Sequence, residues 1–125
     1  MSLKKGNVMN KVTIWHNPRC SKSREALSIL ESEGCEKDII KYLELSPDKT
    51  QIKNILKMLG LSARELMRVK EDIYKELNLK EEQDEEKLIE AMAQHPKLIE
   101  RPIVIKGDKA IIARPASLVT DFLNS

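Results

Sequence analysis

Residues 12–24, VTIWHNPRCSKSR, place a cysteine where a short apolar run gives way to a helical pattern. Val12 to Trp15 is apolar or β-branched, which predicts a buried strand that ends at the His-Asn-Pro turn. A helix is predicted from about Ser21 to Glu33. Cys20 therefore lies at the start of a helix, where the helix dipole and unpaired backbone N–H groups stabilise a thiolate and can hold an oxyanion.

The residues around Cys20 favour a reactive thiol, although a lone free cysteine is often simply buried. Positive charge favours the thiolate over the thiol, and hydrogen-bond donors stabilise the sulfur anion. The basic neighbours are Arg19, Lys22 and Arg24, and the donors are His16, Ser21 and Ser23. Both interpretations of the cysteine stay open from local composition alone.

A second strand is predicted from about Lys37 to Tyr42, after Gly34 ends the first helix in the left-handed region. A strand, a helix and a strand in this order form a βαβ unit with parallel strands. Further helices are predicted to start at Ser46-Pro47, at Ser62 and at Asp84. His95-Pro96 should end the last of these.

The C-terminal part predicts a hairpin and a final helix. Two apolar runs, 103–105 and 110–113, are joined by a turn containing Gly107, and Arg114-Pro115 should open the helix. The predicted fold is therefore α/β and thioredoxin-like, with a four-stranded mixed sheet (βαβ, helical insertion, ββα) flanked by helices. In that arrangement Pro102, just before the third strand, should face the cysteine from a cis peptide bond.

Size and composition limit the function classes. With 125 residues, 41% of them hydrophobic, the chain suits a single domain over residues 11–125 behind a flexible N-terminal tail, residues 1–10. The net charge of +2 and 3% aromatic residues argue against nucleic acid as a partner. Two cysteines and no membrane-length apolar run predict a reduced, cytoplasmic protein with no membrane association. We expect a monomer without a metal site.

Three arginines follow or precede predicted elements where side chains can converge on one edge of the sheet. Guanidinium groups bind tetrahedral oxyanions through paired hydrogen bonds. The three are Arg68, Arg101 and Arg114, and Arg-Pro occurs at two of these positions. Any one of them could instead form an ordinary surface ion pair.

These residues together resemble the glutaredoxin-coupled arsenate reductase (ArsC) family of the thioredoxin-like superfamily. The resemblance spans about Val12 to Leu123. It rests on His16-Asn17-Pro18-x-Cys20-x-x-Ser23-Arg24, Tyr42-Leu43-Glu44, Leu66-Met67-Arg68, His95-Pro96, Arg101-Pro102-Ile103-Val104 and Arg114-Pro115. The segments Met58-Leu59-Gly60 and Arg64 to Arg68 are most similar to a subgroup whose members are named as reductases by similarity. One departure is Ser21-Lys22, where the best-characterised members have Gly-Thr.

The resemblance implies an oxidoreductase of the arsenate reductase (glutaredoxin) type that detoxifies arsenic. Cys20 would attack arsenate, and reduction by glutathione and glutaredoxin would release arsenite, with no bound cofactor. The implied oxyanion-binding residues are Arg68, Arg101 and Arg114, and those that tune the thiol are His16, Ser23 and Arg24. Pro102 would be a structural residue near the site.

Two alternative functions remain open, and the second cysteine, Cys35, is given a structural role. A regulator resembling Spx, which binds RNA polymerase, would need a Cys-x-x-Cys switch, and Ser23 takes the place of its second cysteine. A glutathione-dependent thiol reductase of another substrate would use the same residues. Cys35 follows the far end of a helix about 20 Å long, which argues against a disulfide with Cys20. Because free cysteines are usually buried, Cys35 is predicted to be structural.

Overall fold

The computed structural model describes residues 11–34 and 36–124. The predicted N-terminal tail, residues 1–10, lies outside the described residues, and so do Cys35 and Ser125. No helix in the described ranges has both the length and the apolar character needed to cross a membrane.

The sheet has four strands in the order β2-β1-β3-β4. They are β1 (Val12–Trp15), β2 (Lys37–Ile40), β3 (Ile103–Lys106) and β4 (Lys109–Ile112). β1 is parallel to β2 and antiparallel to β3, and β3 is antiparallel to β4. The mixed four-stranded sheet predicted from the sequence is thus confirmed.

The strand register places the segments that follow β1 and β4 and the segment that precedes β3 at one edge of this sheet. Trp15, the last residue of β1, pairs with Ile40 on one side and with Ile103 on the other. Ile103 in turn pairs with Ile112, the last residue of β4. The chain therefore leaves β1 and β4, and enters β3, at the same edge.

The chain divides into two compact units, Met1–Lys41 with Arg101–Ser125, and Tyr42–Glu100. The first unit contains the sheet and the helices α1 (Ser21–Ser32) and α7 (Leu118–Leu123). Its core is a cluster of apolar side chains from β1, α1, β3 and the C-terminal segment, with Ile14, Leu30, Val104 and Val119 fully buried. The prediction that residues 11–125 form one domain stays a prediction.

The second unit is the predicted helical insertion. Its helices are α2 (Tyr42–Leu45), α3 (Lys49–Leu59), α4 (Ala63–Leu66), α5 (Asp72–Glu76) and α6 (Glu85–Gln94), with 3-10 turns at Leu79–Glu81 and Pro96–Leu98. α6 packs against α3 and α4. Arg64 ties the short helices together, because its guanidinium donates hydrogen bonds to the Tyr74 hydroxyl and to the Leu79 and Glu82 carbonyls.

Several local predictions are confirmed. Gly34 directly follows Glu33, the C-cap of α1, and has a φ of 71°, which confirms the predicted left-handed stop. Ser62 caps α4 in a capping box with Glu65, and Asp84 caps α6 by accepting from the Glu86 N–H group. His95 is the C-cap of α6.

The predicted helix start at Ser46-Pro47 is wrong. The cap of α3 is Asp48, whose carboxylate accepts from the Gln51 N–H at 2.8 Å while the Gln51 side chain accepts from the Asp48 N–H at 2.9 Å. Two reciprocal hydrogen bonds satisfy more of the helix start than the single one a serine could supply. Ser46 instead closes α2, since its N–H donates to the Tyr42 carbonyl.

Two further boundaries also differ from prediction. β2 ends at Ile40, and Tyr42, expected as its last residue, begins α2 and is buried. The final helix begins at Leu118 and not at Arg114-Pro115. Residues 115–118 form a turn first, in which the Leu118 N–H donates to the Pro115 carbonyl.

Candidate functional site

The turn that carries Cys20 is built by Asn17. Its carbonyl accepts a hydrogen bond from the Cys20 N–H at 3.0 Å, and its side-chain oxygen accepts from the Arg19 N–H at 3.0 Å. Asparagine at the first position and proline at the second suit such a four-residue turn. The turn delivers Cys20 to the N-cap of α1, with extended φ and ψ of −97° and 123°.

The Cys20 thiol is half-buried and has a lowered pKa. Burial is the largest effect and raises the pKa, but hydrogen bonds outweigh it. The Ser23 backbone N–H, the Arg101 guanidinium and the Lys22 backbone N–H all lower the pKa, and Arg101 also acts through its charge. The helix N-terminus predicted from the sequence therefore does stabilise the thiolate, and the cation that contacts the sulfur is Arg101.

His16 and Ser23 form a buried pair beneath this turn. The His16 Nδ1 lies 2.7 Å from the Ser23 Oγ, and the Ser23 Oγ also accepts from the Asn17 N–H at 3.0 Å. The Ser23 hydroxyl thus ties the end of β1 to the first turn of α1, while its backbone N–H acts on Cys20. That His16 and Ser23 tune the thiol through their side chains stays a prediction.

We predict that His16 makes the protein less stable in mild acid. Burial, followed by the charges of Lys41 and Arg24, holds the pKa of His16 below its usual value. The unfolded chain then binds more protons than the folded one, so stability is full above the ordinary pKa of about 6.5 and is lost as pH falls through the folded pKa. The loss is at most about 1.4 kcal/mol per pH unit for one group.

Urea unfolding at several pH values between neutral and mildly acidic checks this expectation. His16→Gln should make the free energy of unfolding depend less steeply on pH. His95→Gln, the matched change at the other histidine, should leave this pH dependence as in the wild type. The prediction would be contradicted if the free energy of unfolding changed equally with pH in the wild type and in His16→Gln.

Arg24 holds the turn from the helix side. Its Nη1 donates to the Pro18 carbonyl at 2.9 Å, and its backbone N–H donates to the Cys20 carbonyl at 3.0 Å. It thus braces the segment that carries the thiol, and its charge lowers the pKa of His16. A direct effect of Arg24 on the thiol stays a prediction.

Arg101 and Arg114 are placed at the sheet edge that carries Cys20. The Arg101-Pro102 bond is cis, as predicted, and Pro102 is buried directly before β3. Arg114 follows β4, two strands from β1, which corresponds to about 10 Å. Arg114 is exposed, whereas Arg101 is half-buried against the thiol.

Arg68 belongs to the second unit, where its partners are acidic. Its Nη1 lies 2.6 Å from a Glu71 oxygen, and its Nε lies 3.7 Å from a Glu100 oxygen. About a quarter of each of these three side chains is exposed. Sequence analysis missed both glutamates, although Arg68 and Glu71 have the spacing of a helical ion pair. The assignment of Arg68 to oxyanion binding stays a prediction.

The described part of the chain contains no group of three His, Cys, Asp or Glu side chains placed to hold a metal ion. What the site offers is a nucleophile with a lowered pKa, together with N–H donors and a guanidinium directed at the same atom. Such an arrangement suits covalent attack by sulfur on an anion.

Comparison with known proteins decides the family. The model of the ArsC family matches residues 15–122, which include the turn, both Arg-Pro pairs and the helical insertion. The chain belongs to the ArsC family.

Relatives within the ArsC family carry the name arsenate reductase. One from Neisseria meningitidis is 51% identical over 86% of this chain and 93% of its own length. One from Escherichia coli is 38% identical over 92% of this chain and 82% of its own. A solved structure, an arsenate reductase from Vibrio cholerae, is 50% identical, covers 89% of this chain and 96% of its own, and has a TM-score of 0.86. The predicted thioredoxin-like ArsC fold is therefore confirmed.

Proposed function

We propose that this ArsC-family chain is an arsenate reductase that uses Cys20 as nucleophile and glutathione with glutaredoxin as reductants. The observation that carries the proposal is the lowered pKa of Cys20, which sits at a helix N-cap with Arg101 hydrogen-bonded to its sulfur. The names of its relatives support an oxidoreductase that acts on arsenate. The coupling to glutaredoxin comes from the sequence resemblance.

In the first step the Cys20 thiolate attacks the arsenic of arsenate. A sulfur–arsenic bond forms, one arsenic–oxygen bond breaks, and that oxygen leaves as water after taking up a proton from solvent. Arsenic stays As(V) in this step. The Ser23 and Lys22 N–H groups and Arg101 stabilise the attacking anion beforehand, and the same donors suit the charge on the arsenate oxygens.

In the second step a glutathione thiolate attacks the Cys20 sulfur. The sulfur–arsenic bond breaks with its electron pair left on arsenic, so As(V) becomes As(III) and arsenite leaves. Cys20 then forms a mixed disulfide with glutathione, and a glutaredoxin thiolate removes the glutathione and restores Cys20. Two thiols thus supply the two electrons, which fits a reduced cytoplasmic setting and needs no bound cofactor.

We assign oxyanion binding to Arg101 and Arg114 on the support of their place at the sheet edge that carries Cys20. The ArsC resemblance assigns it also to Arg68, whose present partners are Glu71 and Glu100. If Arg68 does bind arsenate, the anion has to compete with these two carboxylates. We propose that the protein acts as a monomer with glutaredoxin as its protein partner.

The test is arsenate-dependent NADPH oxidation with glutathione, glutathione reductase and glutaredoxin present. Turnover should require arsenate and glutathione and should fall strongly when glutaredoxin is left out. Absence of turnover, from protein whose Cys20 still alkylates rapidly at neutral pH, would contradict arsenate as the substrate. A disulfide substrate in the same assay then tests for a glutathione-dependent thiol reductase. A regulator resembling Spx would turn over neither and would bind RNA polymerase.

A further inference from the structure

Lys22, Arg24 and Lys41 carry exposed positive charges beside the Cys20 turn. Within residues 11–34 and 36–124 none of these three side chains takes part in an ion pair. The cation that acts on the Cys20 sulfur is Arg101. The three exposed charges are therefore not neutralised by acidic partners in the described ranges, and they are separate from the cation that activates the thiol.

Arg24 and Lys22 approach the thiol from α1. The Arg24 Nη1 donates to the Pro18 carbonyl at 2.9 Å, which holds the guanidinium at the turn, two residues before Cys20. Lys22 lies in the first turn of the helix, and its backbone N–H acts on the Cys20 sulfur. That first turn contains no acidic residue that could offset these charges.

Lys41 adds a charge from the neighbouring strand. It directly follows Ile40, the last residue of β2, whose carbonyl accepts a hydrogen bond from the His16 N–H at 2.8 Å. β2 and β1 are adjacent in the sheet, so the ends of the two strands are about 4.8 Å apart. The charges of Lys41 and Arg24 both lower the pKa of His16, which precedes the Cys20 turn. Lys41 and Arg24 thus act on the same part of the site from two different elements.

This concentration of positive charge beside a thiolate favours a negatively charged reactant. Glu25, the acid that follows Arg24, lines a groove with residues 115–117, and it offsets only one of the three charges. At physiological salt a charge acts over about 8 Å, so the reactant's charge does not have to touch the sulfur. A carboxylate on the second carbon from a reacting sulfur is separated from it by three bonds, each of about 1.5 Å, and lies within this range.

We propose that Lys22, Arg24 and Lys41 form a cationic rim that selects carboxylate-bearing disulfides as reactants of Cys20. The Cys20 thiolate attacks one sulfur of the disulfide, so that a new sulfur–sulfur bond forms and the old one breaks. The electron pair of the old bond stays on the departing half, which leaves as a thiolate. Cys20 is thereby oxidised and the departing half is reduced. This exchange needs no arsenate and goes beyond the proposed function.

Three small disulfides that differ in charge test the rim. The probes are dithiodipropionate, which has two carboxylates, hydroxyethyl disulfide, which is uncharged, and cystamine, which has two ammonium groups. Each is mixed with the reduced full-length protein at a pH at which Cys20 is fully ionised and lysine is still charged. Peptide mass spectrometry of quenched samples measures the mixed disulfide on Cys20 and gives a second-order rate constant for each probe.

Lys22→Gln and Lys41→Gln should each slow the reaction with dithiodipropionate about two- to threefold, and the double variant about five- to tenfold. Hydroxyethyl disulfide should react as with the wild type, and cystamine should react faster. The intrinsic reactivity of each disulfide cancels, because each is compared between variant and wild type. In about 1 M salt, where charges act over only about 3 Å, the differences should nearly vanish.

Lys109→Gln is the matched control. Lys109 is an exposed lysine of the same unit, but it begins β4 and therefore lies at the opposite edge of the sheet from the Cys20 turn. Its substitution should leave all three rate constants as in the wild type. Equal effects of Lys22→Gln and Lys41→Gln on the three disulfides, or equal slowing by Lys109→Gln, would overturn the proposal.

The result is independent of the test of the proposed function, because no arsenate is present. Charge selection by a protein that does not turn over arsenate would support the rim and contradict arsenate as the substrate. A protein that turns over arsenate but reacts with the three disulfides equally in wild type and variants would have no selective rim.

Discussion

Cys20→Ser is expected to lower arsenate turnover by at least about a thousandfold. The reason is that a serine hydroxyl stays protonated at the pH values at which this thiol forms a thiolate. The groups that lower the pKa of Cys20 are all directed at this one sulfur: two backbone N–H groups and the Arg101 guanidinium. Without a thiolate these donors have no nucleophile to stabilise. The measurement is the arsenate-dependent oxidation of NADPH in the complete coupled assay.

Cys35→Ser is the matched control for this variant. It removes the other thiol of the chain, which the sequence analysis predicts to be structural, and it should keep wild-type turnover. Circular dichroism of both variants checks that they fold. If Cys35→Ser lost as much activity as Cys20→Ser, the reduction would need a second protein thiol and the single-cysteine mechanism would be wrong.

The position of the thiol could be predicted because local rules determine it. A strand as short and apolar as Val12–Trp15 ends at an Asn-Pro turn, and the turn leaves Cys20 at a helix start. Gly34 and Pro102 could be predicted for similar reasons. Gly34 has to adopt a positive φ, and Pro102 precedes a strand in a recognisable fold. These features depend on a few neighbouring residues or on the order of elements.

The source of the charge at the sulfur could not be predicted in the same way. Sequence analysis gave weight to Arg19, Lys22 and Arg24 because they are adjacent in the chain. In the structure Arg24 donates to the Pro18 carbonyl, and the cation that contacts Cys20 is Arg101, from the segment before β3. Sequence proximity says little about which long side chain reaches an atom, because that depends on how the strands are ordered.

The helix start at Asp48 shows a related limit at the local level. Ser46-Pro47 and Asp48-x-x-Gln51 are both plausible starts within three residues of each other. The second makes two reciprocal hydrogen bonds, whereas Ser46 is used to end the preceding helix. Which of two adjacent helix-start motifs is used depends on how the preceding helix ends, and neither motif alone contains that information.

Arg101→Gln is expected to raise the pKa of Cys20 and to lower kcat/KM for arsenate by about 100-fold. Glutamine removes the charge that favours the thiolate, so less thiolate is present at any pH below the new pKa. The rate of alkylation by iodoacetamide as a function of pH reports the thiol pKa. Arg19→Gln is the matched control, because Arg19 is nearer in sequence but is not among the groups that act on the thiol.

The pH dependence of the loss distinguishes the two roles that Arg101 could have. If Arg101 only lowered the pKa of Cys20, raising the pH until Cys20 of the variant is fully ionised would restore wild-type kcat/KM. We expect only partial recovery, since the same guanidinium should also bind the arsenate oxygens. Arg114→Gln should raise the KM for arsenate without moving the thiol pKa. Full recovery in Arg101→Gln would restrict this arginine to activation of the nucleophile and leave oxyanion binding to other residues.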